Sequence, residues 1–241
     1  MAKIPDKPQD IFVPLTEDYK KVFGNDLVSL IIHGSAAGGY YVKGISDINL
    51  LVILTPEGIN RLEDALGTVQ NWRKRNVAVP WVMTRKFIES SLDAYPIEFL
   101  NLKYNHIMIH GEDILQRLDF TPEDLRLQIE KELKGKLILL REGYLEIGGN
   151  SKQLKQLIAR SITAFISIFK ALLYLRQGSI PASRKETIKE LAKIFTFDFN
   201  IFLTCVDIKE EIDSLSKEEV ADVFKKYLRE VENICDLVDT M

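Results

Sequence analysis

Residues Leu27–Leu54 read LVSLIIHGSAAGGYYVKGISDINLLVIL. An apolar run, Val28–His33, stops at Gly34-Ser35. A glycine-containing segment with Gly38 and Gly39 follows, and Asp47-Ile48-Asn49 opens a second apolar run that ends at Leu54. Neither run alternates strictly between apolar and polar residues, so both are expected as strands buried on two faces. Residues i and i+2 of a strand share a face, so Asp47 and Asn49 are expected to project together. The Gly-Ser turn between the strands allows the backbone to approach a phosphate closely, and the Ser hydroxyl can hydrogen-bond it.

Outward from this stretch the chain changes style near residue 120. Before it, short apolar runs alternate with helical stretches. A helix is expected over Pro56–Arg75, where Ile59, Leu62, Leu66 and Val69 recur three or four apart. A third strand is expected over Val77–Met83, a short helix capped by Thr84, a fourth strand over Ile97–Lys103, and a short fifth at Ile107–Ile109. After residue 120 the pattern is helical throughout. Thr121-Pro122-Glu123-Asp124 combines an N-cap, a proline at the first helical position and acids in the first turn. Gly148-Gly149-Asn150 ends that helix, and Ser151 is expected to cap the next, which carries Leu154, Ile158, Ile162, Phe165 and Phe169. Ser183…Glu186 and Ser216…Glu219 match capping boxes for two more. The expected class is α+β: a small mixed-sheet domain over 1–120 followed by an all-α helical bundle over 121–241.

The formal net charge of −3 argues against a broadly cationic nucleic-acid binder and favours a nucleotide or other small molecule. Cys205 and Cys235 have no metal-ligand spacing and read as buried free thiols. The first residues lack the apolar core of a secretory signal, and no uninterrupted apolar run reaches the roughly 18–20 residues that span a bilayer. A cytoplasmic protein with no membrane partner is the resulting expectation.

The Gly34-Ser35 turn, the glycines and Asp47-Ile48-Asn49 together resemble the signature of the DNA polymerase β-like nucleotidyltransferase superfamily. The layout resembles its kanamycin- and aminoglycoside-nucleotidyltransferase branch, which carries a C-terminal helical bundle. The resemblance implies transfer of a nucleoside monophosphate from a nucleoside triphosphate to a hydroxyl of an acceptor that the sequence does not name. It also implies a nucleotide bound between the two domains and a homodimer. Gly34 and Ser35 would hold the triphosphate, with Lys43 within reach of a phosphate. Asp47 would bind Mg²⁺, which aligns the attacking oxygen with the α-phosphate and needs hard oxygen ligands. Asn49 stands where a second metal-binding carboxylate belongs, and its amide brings no charge.

A third carboxylate on a neighbouring strand would complete the metal site and act as catalytic base. Glu98 is the candidate, with Asp47 as its catalytic partner. Two readings of Glu98 stand: a metal ligand inside an apolar strand, or a solvent-facing acid at a sheet edge beside Pro96. Asn101 is a further place where an acid could have stood. The protein is therefore either a nucleotidyltransferase weakened at Asn49 or a catalytically lapsed homologue that serves as a nucleotide-binding or protein-interaction module. The simpler readings of the remaining candidates are structural. His33 is expected to hydrogen-bond a neighbour, His106 and His110 lie in a hairpin and not on a helix, Arg160, Lys170 and Arg176 are helix-face charges, and Trp72 and Trp81 are packing residues.

Overall fold

Strand β1 (Leu27–His33) pairs antiparallel with β2 (Asn49–Leu54) on one side and with β4 (His106–Gly111) on the other. Strand β3 (Trp81–Thr84) adds parallel to β2, giving the order β3-β2-β1-β4. The computed structural model describes residues 3–181 and 183–241. By internal contacts the chain divides into two units: one runs up to Asp93 and resumes over Glu98–Asp119, and the other comprises Ala94–Ile97 and Phe120–Met241.

The first unit is built on α1 (Phe12–Phe23), α2 (Pro56–Ile59), α3 (Leu66–Arg73) and α4 (Arg85–Ser90) with the sheet. Ile11, Leu15, Tyr19 and Phe23 recur every fourth residue and pack against Leu30 and Ile32 of β1 and Leu50 and Val52 of β2. The alternate residues Ile31, Leu51 and Ile53 are equally buried, so both sheet faces are covered as the unbroken apolar runs required. Trp72 is buried and its Nε1–H donates to Asp18 Oδ2 at 3.1 Å. The helix expected over Pro56–Arg75 is interrupted: α2 lasts one turn, a 3-10 turn occupies Leu62–Ala65, and α3 follows. Thr84 caps α4 by accepting from the Phe87 N–H.

The strand expected over Ile97–Lys103 is instead a helix, α5 (Pro96–Tyr104). Ile97, Phe99, Leu100 and Leu102 are all buried, so apolar residues surround the helix and their spacing does not single out either period. Pro96 at its start is a helix-opening residue, not the mark of a sheet edge. The segment expected as a short fifth strand supplies β4.

The second unit contains α6 (Pro122–Ile147), α7 (Ser151–Gln177), α8 (Arg184–Ile194), α9 (Asn200–Lys209) and α10 (Lys217–Asp239). Thr121 caps α6, and Gly148 ends it in the left-handed conformation at φ 59°. Asn150, not Ser151, caps α7: its Oδ1 accepts from the N–H groups of Lys152 and Gln153. Ser216 and Glu219 form the full reciprocal box on α10. Helix α7 has the length and apolarity of a membrane-crossing helix, and half of its most apolar stretch is buried inside the protein. Phe165 and Phe169 of α7 meet Phe202 of α9 and Tyr227 of α10, edge-on or tilted. Cys205 and Cys235 are both buried in this unit as free thiols.

Candidate functional site

At the end of β1 the backbone turns sharply. His33 is extended, Gly34 takes φ +70°, and Gly34–Ala36 form a 3-10 turn. The Gly34 carbonyl accepts from the Gly38 N–H at 3.0 Å and from Asn105 Nδ2 at 3.2 Å, and the Tyr40 N–H donates to the Ser35 carbonyl at 2.9 Å. A side chain at position 34 would be strained by the left-handed φ and would also collide with Asn49, whose Nδ2 lies 2.6 Å from where a Cβ would stand. The left-handed φ calls for glycine, and any side chain here would also displace the Asn49 amide. Asn105 had no signal in the sequence beyond a polar residue between two elements, yet it ties the turn to the segment between α5 and β4.

Asn49 opens β2 and pairs in register with His33. The preceding Ile48 is fully buried, and its N–H and C=O bond the Asn76 carbonyl and the Ala78 N–H at 2.8 and 3.0 Å. Ile48 faces the core shared with α1, so Asp47 and Asn49 flank it on the alternate side, Asp47 exposed and Asn49 half-buried. The two bonds from Ile48 and the later pairing of Leu51 with Trp81 run Val77-Ala78-Val79-Pro80 alongside Asp47–Leu50. None of these four residues is an acid. His33 flanks Asn49 from the other side, and none of the four strands contains an Asp or Glu.

Glu98 lies in the first turn of α5, half-buried, where a carboxylate suits the positive end of the helix dipole. The expectation that placed it on a strand next to Asp47 is corrected accordingly. Asn101 shares that helix. Lys43 is committed elsewhere: its Nζ pairs with Asp6, whose carboxylate holds the ammonium above its ordinary pKa. Among the described residues, no three His, Cys, Asp or Glu gather in a way that could hold a metal ion. The donors beside the turn are one carboxylate, Asp47, and one uncharged amide, Asn49. That set brings one negative charge to a divalent ion, which would depend on substrate phosphates and water for its other ligands.

No protein-family profile matches the chain, and no curated protein sequence matches it. Its fold, by contrast, is matched over 92% of its length by the solved structure of the spectinomycin adenyltransferase of Enterococcus faecialis with ATP and spectinomycin. The TM-score is 0.51, the identity 13%, and 98% of that chain is covered. This chain shares the fold of that structure. In this chain the turn after β1 has glycine at its left-handed position, and Asp47 is the acid in the Asp47-Ile48-Asn49 segment that opens β2.

His33, directly before the turn, is largely buried, and burial lowers its pKa to about 4, so it is neutral at neutral pH. Its ring packs on Trp81 with centroids 5.3 Å apart. His106 Nδ1 bonds the Leu102 carbonyl and its Nε2 bonds Asp113, which accounts for it as a structural residue. In the second unit, burial and the nearby Arg184 charge lower the pKa of both Lys170 and Lys209. Three cations from α7, α8 and α9 thus lie near one another, and Glu210 at 3.6 Å from Arg184 offsets part of their charge. The sequence marked Lys170 as an ordinary helix-face charge; its partial burial was not visible there.

Proposed function

We propose that this protein binds a nucleoside triphosphate at the Gly34-Ser35 turn as a catalytically lapsed nucleotidyltransferase homologue. Residues 1–120 form the nucleotide-binding part and 121–241 its helical companion. One observation carries the reading: the backbone beside Asn49 offers His33, Val77, Ala78, Val79 and Pro80, so no neighbouring strand supplies the acid that would join Asp47. With Asp47 as its one carboxylate, the site would hold the ion that neutralises the triphosphate and aligns the attacking oxygen with less negative charge than two or three carboxylates supply. What remains is a rigid turn able to receive phosphate oxygens, with Ser35 as a hydroxyl donor.

A second reading is an active transferase acting on a small hydroxyl-bearing acceptor with Mg²⁺. The exposed Asp47 and the fold shared with an adenyltransferase solved with ATP and spectinomycin favour it. Calorimetry and pyrophosphate release separate the two. The lapsed protein binds ATP with an affinity that changes little when Mg²⁺ is chelated, and it releases no pyrophosphate across a panel of hydroxyl acceptors. Divalent-dependent release of pyrophosphate that disappears in Asp47→Ala would overturn that reading and establish the enzyme.

A further inference from the structure

Trp81 opens β3 with 43% of its surface exposed, which leaves a large aromatic side chain at a sheet end unburied. It is not loose there, because its indole packs on the His33 imidazole at 5.3 Å with the planes tilted by 40°. His33 pairs with Asn49 and Trp81 pairs with Leu51, two residues further along β2, so all four project from one face of the sheet. His33 also adjoins Gly34 in the chain. The indole therefore packs on the side chain that precedes the turn and keeps 43% of its surface exposed.

We propose that Trp81, backed by His33, is the stacking platform for the nucleobase of the bound nucleotide. This rests on the nucleotide-binding reading above. A fixed, half-exposed indole offers a π-face to any base, and stacking of one base on an aromatic side chain contributes roughly 1–3 kcal/mol, which is about 5- to 150-fold in affinity. Such a platform reads no hydrogen-bond pattern, so ATP and GTP bind within a few-fold of each other.

Intrinsic fluorescence and calorimetry test this directly. Trp72 is buried and hydrogen-bonded to Asp18, so it contributes a constant background against which Trp81 reports. ATP is expected to quench the wild-type emission, whereas inorganic tripolyphosphate binds without quenching. Trp81→Ala should weaken ATP about tenfold or more, Trp81→Phe should weaken it less, and both should bind tripolyphosphate as the wild type does. Unchanged ATP affinity in Trp81→Ala overturns the platform and leaves the nucleotide reading standing. An equal loss for ATP and tripolyphosphate also overturns it, by making Trp81 a structural support of the turn. A wild type that binds neither ligand removes the nucleotide reading, and the platform with it.

Discussion

The two halves of the candidate site are held in place by different means. At the Gly34 turn the geometry belongs to the backbone: a positive φ, a carbonyl that accepts from Ala37, Gly38 and Asn105, and an amide packed where a side chain would stand. Along the strand positions facing Asn49 the chemistry depends on side chains alone, and there the acids are absent. A turn that ends a buried central strand is needed by the sheet whatever the protein binds. A carboxylate at a metal position, by contrast, costs desolvation energy when no cation offsets it. The proposed lapse of chemistry within an intact frame follows from that difference.

The largest expected effect tests the backbone half. Gly34→Ala combines a left-handed φ with a collision against Asn49 and should cost about 2–4 kcal/mol in urea unfolding. Adding Asn49→Ala should recover part of that loss; no recovery would mean that the amide does not fill the space. On the chemical half, Asn49→Asp keeps the shape and adds a charge beside Asp47. Calorimetry with Mn²⁺ should show about tenfold tighter binding. Pyrophosphate release should stay absent, and its appearance would erase the contrast between the two halves.

Asn105→Ala removes the side-chain donor to the Gly34 carbonyl and should cost about 1 kcal/mol, with faster amide exchange at Gly38. The pH response of His33 is subtler. Its folded pKa, about 4, lies below the ordinary 6.5, so the unfolded chain takes up a proton that the folded one refuses. The stability present above pH 6.5 therefore declines as the pH falls from 6.5 toward 4. Between pH 7 and 5 the melting temperature of the wild type should fall more than that of His33→Phe. Lys43→Ala should have the smallest effect, leaving both the melting temperature and ATP affinity within error, because Lys43 serves an exposed pair with Asp6.

How much was legible in the sequence followed from which signals are local. The strands around Gly34 and Asp47, the cap at Thr121 and the long apolar face of α7 each announce themselves within a few residues. Helix α1 is equally legible in the fourfold recurrence of Ile11, Leu15, Tyr19 and Phe23, although the expectations above do not include it. Helix α5 was not legible by period, because a helix apolar on all sides looks like a buried strand. That single misreading carried Glu98 onto the sheet and supplied a third metal ligand the strands do not have. The contacts of Asn105 with the turn and of Lys43 with Asp6 span long stretches of chain, and no local pattern encodes them.

The placement of two rare residue types turns this chain into its own pair of gauges. Both tryptophans, Trp72 and Trp81, fall in the first unit, and both cysteines, Cys205 and Cys235, lie buried in the second. Indole emission therefore follows the melting of the sheet, and the labelling rate of the sheltered thiols with a maleimide follows the opening of the helices. Run on one unmodified sample, the two traces reveal whether the halves come apart together or in turn.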